Sequence, residues 1–369
     1  MMRKLLLAAI FVAGRLSAAI SPMAFEGRDS DRIGLAIERS CSDGSRMVTI
    51  PPKPNGAAWL IDRAILLPSD FTLELDGCLV QLAPGTRDNL IRNAGAVEGR
   101  ISPDRNITVR GRNGAILCGG VENHYAPNRS GDVNGWTTIG ILLCSVDGFT
   151  IEGVTLRETQ AWGISVESGC MNGRIAGIRF EDTNRMRNQD GIDVRKGCHD
   201  IVIEDVTGVC GDDVVALTAL RSDKPVPPGR RSMQFGGKFP TDHDDVYNVT
   251  IRNVKARCAG GHGVVRLLCQ DGIRMHHVVV SNVTDTTDVG KGDKPAQAVV
   301  RIGDVNYWSI CPAKLGDMHH IMVDGIDVKG LLGVWVKGAL SDSTLRNVVV
   351  PDGVRKYDIT AQIENVTAL

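Results

Sequence analysis

The chain has 369 residues, enough for one large domain or two ordinary ones, and its side chains are 43% hydrophobic but only 4% aromatic. With 42 basic and 43 acidic residues the formal charge is −1, which removes any global electrostatic case for nucleic acid or an anionic membrane and leaves only a local basic groove open. Forty-two glycines with many Val, Ile and Asn favour short strands and frequent bends over long helices.

The first residues, MMRKLLLAAIFVAG, join a basic start to an apolar run, and small residues follow at Ser17-Ala18-Ala19 and again at Ala24. Although Arg15 interrupts it, the pattern reads as a secretory signal over residues 1–24, cleaved near 19 or 24, and it is too short for a membrane span. A single mature domain over 25–369, secreted or periplasmic, is therefore expected. Next, Asp29–Ser40 has helical apolar spacing at Ile33, Leu35, Ala36 and Ile37 with acidic residues at its start. Short strand-like runs follow at Met47–Pro52, Ala64–Leu67, Phe71–Leu75 and Leu79–Leu82, separated by Pro, Gly or Asp.

From residue 104 onward the chain repeats itself. The unit is an aliphatic alternation closed by Asn, Gly or Asp and one more aliphatic. It is seen in Phe149–Val154, Ile201–Val206, Val249–Val254, Val278–Val283, Ile321–Ile326 and Ser343–Val348, with a weaker copy at Ile175–Ile178. The final aliphatics are spaced by 24, 28, 48, 29, 43 and 22 residues, so most steps are single turns and the two longest carry inserts. Alternate aliphatics point inward, and successive turns stack about 4.8 Å apart. A β-propeller fits less well, because its four-stranded blades carry aromatic signatures absent here. The fold expected is all-β, a single-stranded right-handed parallel β-helix with a short N-terminal capping helix covering its first, otherwise open edge.

Ten cysteines in an exported chain raise the question of a disulfide framework. Cys118, Cys144, Cys170 and Cys198 follow at intervals of 26, 26 and 28, about one turn each, which predicts a stacked interior column of buried thiols with at most one or two bridges. No cysteine or histidine spacing suits zinc, and neither metal nor cofactor is expected. The Asn-x-Ser/Thr sequons at Asn106, Asn128, Asn248, Asn282 and Asn365 are read as bend residues at least as readily as glycosylation sites. Two loop-like inserts, Gly119–Trp136 and Leu220–Asp245, offer His124, Tyr125 and Trp136, and Lys224, Arg230, Arg231 and Lys238, as possible ligand contacts.

A second strand precedes each repeat unit: Ala161–Val166, Asn188–Asp193, Gly211–Ala216, Gly261–Arg266 and Val299–Gly303. Stacked turn by turn, these bring Trp162, Asp190, Asp212, Asp213, His262 and Arg301 to one surface. Singly, each has a bland explanation as a bend, packing or solvated residue; an aromatic, three acids, a histidine and an arginine on one ladder do not. Here the chain resembles glycoside hydrolase family 28, the polygalacturonase family of pectin-lyase-like β-helices. That family's ordered signature of Asn-Thr-Asp, Gly-Asp-Asp, Gly-His-Gly and Arg-Ile-Lys is matched by Asn188-Gln189-Asp190, Gly211-Asp212-Asp213, Gly261-His262-Gly263 and Arg301-Ile302-Gly303. Asn106–Gly114 also looks like the family's entering strand.

The resemblance implies inverting hydrolysis of a pectin-related poly- or oligosaccharide. Asp212 would protonate the leaving oxygen, Asp190 and Asp213 would activate water, and His262 would orient the acid. Asn188, Arg301 and Trp162 would contact substrate. Crowded carboxylates favour one retaining its proton. Gly303 departs from the family by replacing the lysine that binds a galacturonate carboxylate, and Arg266 or the second insert is a candidate replacement. Gln189 and Val264-Val265-Arg266 also depart from it. The expected partner is the glycan alone, with neither nucleic acid nor membrane, and the chain is expected to act as a monomer. The alternatives are a β-helix polysaccharide lyase using Ca²⁺ and a non-catalytic glycan-binding solenoid.

Overall fold

The computed structural model describes residues 19–97, 100–121, 139–183, 188–220, 244–305 and 311–369. Most of the segment expected to be a secretory signal lies outside them, as do His124, Tyr125, Asn128, Trp136, Lys224, Arg230, Arg231 and Lys238. Among the described residues no helix is long and apolar enough to cross a membrane.

The amphipathic segment after residue 28 forms the helix Asp29–Asp43, three residues longer than its spacing predicts. It buries Ile33, Ala36 and Ile37 and stops at Gly44 in the left-handed conformation. Its first residue anchors it to the opening coil: the Asp29 carboxylate accepts the Leu60 amide at 2.7 Å and the Lys53 ammonium at 2.8 Å.

Behind the helix the chain winds as a parallel β-helix. Ten parallel strands, from Ile65–Leu67 to Arg355–Ile359, make one sheet. The remaining faces form a sixteen-stranded sheet whose two arms merge in the long strand His199–Cys210. The repeat register is as the sequence predicts: Ile151, Ile175, Ile203, Ile251, Val280, Val323 and Leu345 stack in one column. The polar position closing each unit is a bend with positive φ at Gly153, Gly177, Asp205, Asn253, Asn282, Gly325 and Asn347. Asn, Asp and Gly recur there because other side chains are strained in that region. In the ten-stranded sheet Ile141, Ile164, Ile192, Val215, Val265, Val300 and Val334 are in register and fully buried. Each such side chain contributes about 1.5–3 kcal/mol of burial, so the coils are held by a continuous aliphatic column.

Two expectations are corrected. All ten cysteines are free thiols, so the one or two bridges are not formed. Nor do the four evenly spaced cysteines share a column. Cys170 and Cys198 stack, but Cys144 faces Glu167 and Cys118 faces Arg157, because equal spacing reports the length of a coil and not the position within it. Burial pushes Cys78 and Cys258 up to about 12, so these thiols stay protonated. The sequon asparagines Asn106, Asn248, Asn282 and Asn365 all have φ near +52°, and each donates its side-chain amide to a residue of the preceding coil at 2.7–3.3 Å. These are bend residues with occupied side chains.

Candidate active site

The strands Ile164–Glu167, Ile192–Arg195, Val215–Ala219, Gly263–Cys269 and Ala298–Ile302 are adjacent in the ten-stranded sheet. Their register fixes what stands beside what. Two residues before the aligned Ile164, Ile192, Val215 and Val265 come Trp162, Asp190, Asp213 and Gly263, with Asp212 and His262 one residue earlier. The backbone follows suit, with Gly163 donating to the Asp190 carbonyl at 2.8 Å and Gly191 to that of Asp213 at 2.9 Å. Gly191 lets the coils approach this closely, since a Cβ there would lie 2.4 Å from the Val214 carbonyl oxygen. Arg301 stands three positions further along, paired with Arg266 and not with His262.

Asp190, Asp212 and Asp213 converge: each offers a carboxylate oxygen, and these three atoms lie within 4.8 Å of one another. Asp190 and Asp213 are almost wholly buried, and one oxygen of each lacks a hydrogen-bond partner among the described residues. Asp212 is more open and accepts the Asp213 amide at 3.0 Å. Burial, followed by the charges of Asp193, Asp212 and Asp213, pushes Asp190 well above the ordinary carboxylate range. Asp212 is raised for the same reason, burial first and then Asp213. A group held protonated beside one that can ionise is the arrangement acid/base chemistry requires. His262 is half-exposed, its Nδ1 3.6 Å from Asp212 Oδ1, close enough for an ionic contact but too long for a hydrogen bond.

Cations flank the acids on the following coils. Arg266 Nη1 is 3.5 Å from Asp213 Oδ2, and Arg266 and Arg301 each place Nη2 3.3 Å from Asp304 Oδ2. Lys337 Nζ reaches the other Asp304 oxygen at 3.2 Å and lies 4.4 Å from the centre of the Trp335 ring. Asp304, Trp335 and Lys337 are not evident as site residues in the sequence, although one signal exists. Ile302 pairs with Val336, so Lys337 holds in its coil the position that Gly303 holds in the previous one. Gly303 itself has φ +72°, and a Cβ on it would lie 2.3 Å from Gly338 Cα. No lysine fits at 303 without displacing the next coil.

The remaining predicted contacts are placed less openly. Trp162 is only 5% exposed, packs with Ala96, Leu142 and Cys144, and has the Arg195 guanidinium 4.2 Å above its ring. Its burial is that of a packing residue and does not match the expected open sugar contact. Asn188 is a partly exposed bend with φ +59°, and Gln189 is fully buried and donates to the Thr159 carbonyl at 2.6 Å.

Fold and site together define a parallel β-helix presenting a carboxylate cluster from successive coils. No protein-family model and no curated protein sequence matches the chain. Solved structures do. A family 28 exopolygalacturonase of Yersinia enterocolitica is similar at 16% identity and TM-score 0.51 over 94% of this chain and 78% of that one. A polygalacturonase of Erwinia carotovora is similar at 15% identity and TM-score 0.53, covering 94% and 91%. The tailspike protein of E. coli bacteriophage HK620 gives TM-score 0.56 at 12% identity, covering 94% of this chain and 65% of that one. At these identities the likeness is one of fold.

Proposed function

We propose that the protein is an exported glycoside hydrolase that cleaves pectin-related, uronate-bearing glycans by acid/base hydrolysis. The observation that carries this reading is the convergence of Asp190, Asp212 and Asp213 within 4.8 Å, with Arg266 and Arg301 on the coils beside them. Asp212, the most open of the three and raised in pKa, donates its proton to the leaving glycosidic oxygen. Asp190 and Asp213 hold the attacking water; Asp213 takes its proton, while Asp190, its pKa kept well above the ordinary carboxylate range by burial, positions it by hydrogen bonding. Two oxygens sharing one water stand roughly 4.5–5 Å apart, given hydrogen bonds of about 2.7 Å. Generic inverting sites set their two carboxyls wider, about 6.5–9.5 Å. The anomer of the first product therefore distinguishes inversion from a route in which Asp190 or Asp213 attacks the sugar directly.

Arg301 and Lys337 supply positive charge for a uronate carboxylate, Lys337 from one coil beyond the family's usual place. Activity falls as pH rises through the Asp212 pKa, when the acid loses its proton. The test is a panel of pectic and related glycans with wild type beside Asp212→Asn. Loss of reducing-end release by about 10²–10⁴-fold is expected, and unchanged release in the variant sinks the assignment.

A calcium-dependent lyase is favoured by one feature, the three-carboxylate cluster itself. Ca²⁺, however, takes six to eight oxygens, and the burial of Asp190 and Asp213 leaves little room for the waters that would complete the shell. Ultraviolet-absorbing unsaturated products that vanish with chelator identify that route.

A further inference from the structure

Away from the carboxylates, on the long strands of the sixteen-stranded sheet, an aromatic ladder crosses four consecutive coils. His199, Tyr247, His276 and His319 share one register position and stack face to face, with ring centroids 4.5, 5.0 and 4.9 Å apart. In the last two of these coils the next residue is also histidine, and His277 stacks on His320 at 4.8 Å. Within each coil the two rings stand nearly perpendicular, with Nδ1 to Nδ1 distances of 2.7 Å for His276–His277 and for His319–His320.

His277 and His320 occupy a bend, both at φ +54°, that other coils fill with Asn106, Asn172, Asp200, Asn248, Asp342 and Asn365. Those residues join the coils through amide–carboxylate hydrogen bonds, such as Asn248 to Asp200 and Asn365 to Asp342. Two successive coils give up that ladder for imidazoles. Two Nδ1 atoms 2.7 Å apart share only one proton, so a second proton places like charges in contact. The other charges near them are Asp245, Arg274 and Asp342, of which Asp245 and Arg274 pair with each other at 2.9 Å. Paired imidazole nitrogens brought this close on successive coils are what a transition metal binds.

We propose that His276, His277, His319 and His320 form a binding site for imidazole-preferring divalent transition metals, Cu²⁺ foremost, each coil's Nδ1 pair chelating one ion. Cis nitrogens about 2.0–2.1 Å from a metal lie roughly 2.9–3.4 Å apart, so each pair opens by a few tenths of an ångström and turns both Nδ1 lone pairs toward the ion, while the proton the two nitrogens share moves to an Nε2 or to solvent. Of the divalent ions, Cu²⁺ heads the affinity order for nitrogen ligands. The stacking places the two ions about 5 Å apart, and their mutual repulsion makes the second bind more weakly.

The test is a Cu²⁺ titration of the full chain at neutral pH, followed by calorimetry and by paramagnetic resonance for nitrogen hyperfine coupling. Wild type takes up two ions with nitrogen ligation, and His320→Asn takes up one. His277→Asn/His320→Asn binds at least tenfold more weakly, while its thermal unfolding stays close to wild type because Asn already serves this bend at Asn248 and Asn365. If that variant does not fold, His276→Gln/His319→Gln reads the same loss from the other half of each pair. Asp190→Asn leaves the uptake unchanged. Equal Cu²⁺ affinity in wild type and the histidine variants, oxygen-only ligation, or loss of uptake in Asp190→Asn each overturns the proposal.

Discussion

Restoring a lysine at position 303 should damage the protein, not improve it. Gly303 sits at φ +72°, where an ordinary side chain costs about 1–2 kcal/mol of backbone strain. Its Cβ would fall 2.3 Å from Gly338 Cα and 2.4 Å from Gly338 N, backbone atoms that cannot rotate away as a flexible side chain would. Forcing the coils apart adds about 1–3 kcal/mol, the usual cost of overpacking. Gly303→Ala and Gly303→Lys are therefore expected to lose about 2–5 kcal/mol in urea unfolding. Gly114→Ala isolates the strain, since Gly114 has φ +79° with nothing within 4 Å of the added Cβ, and should lose only about 1–2 kcal/mol. Equal losses at the two sites would refute the argument, because the close approach of Gly303 to Gly338 would then contribute nothing. Greater activity on polygalacturonate in a stably folded Gly303→Lys would refute its functional half.

Three further outcomes are expected. Asp190→Asn should raise stability at neutral pH by on the order of 1–2 kcal/mol while abolishing hydrolysis. The sign follows from the raised folded-state pKa of Asp190: its contribution is present at low pH and is lost as pH rises through that value, so the variant's advantage should shrink on acidification. An advantage independent of pH would contradict the buried-charge account. Lys337→Ala should raise KM for a uronate oligomer by about 10-fold or more with kcat little changed, as for loss of a charge-assisted contact of about 1.5–3 kcal/mol. A neutral oligosaccharide should be unaffected, and equal losses on both substrates would remove Lys337 from carboxylate binding. Finally, native protein treated with an aromatic disulfide reagent should react at Cys41 and Cys311 only, the two thiols that are not buried, with the other eight reacting on unfolding. A melting temperature that falls on adding reductant would show that disulfides do form.

Much of this protein is legible without coordinates, and the reason is the periodicity of a solenoid. Each coil must bury the same inward aliphatics and turn at the same bend, so the repeat units from Phe149–Val154 to Ser343–Val348 report their register directly. The capping helix is legible for a similar reason, since Ile33, Ala36 and Ile37 fall on one face. The convergence of Asp190 with Asp212 and Asp213 is visible as a spacing of about one coil.

What the sequence could not determine depends on position within a coil and on contacts between coils. Evenly spaced Cys118, Cys144, Cys170 and Cys198 resemble a column, yet only two of them stack, because inserts and bends shift residues between faces at constant spacing. Trp162 lies on the right ladder but beneath Arg195, and burial of that kind comes from neighbouring chain and not from local pattern. Lys337, proposed to serve where the resemblance leads one to expect a lysine at Gly303, is 34 residues away. Only the strand register places it one coil beyond Gly303, and only the approach of Gly303 to Gly338 shows why no side chain fits at 303. Local sequence specified the shape and pitch of the coil; tertiary packing decided which side chains stand beside the carboxylates and raised the pKa of Asp190 and Asp212 by burying them.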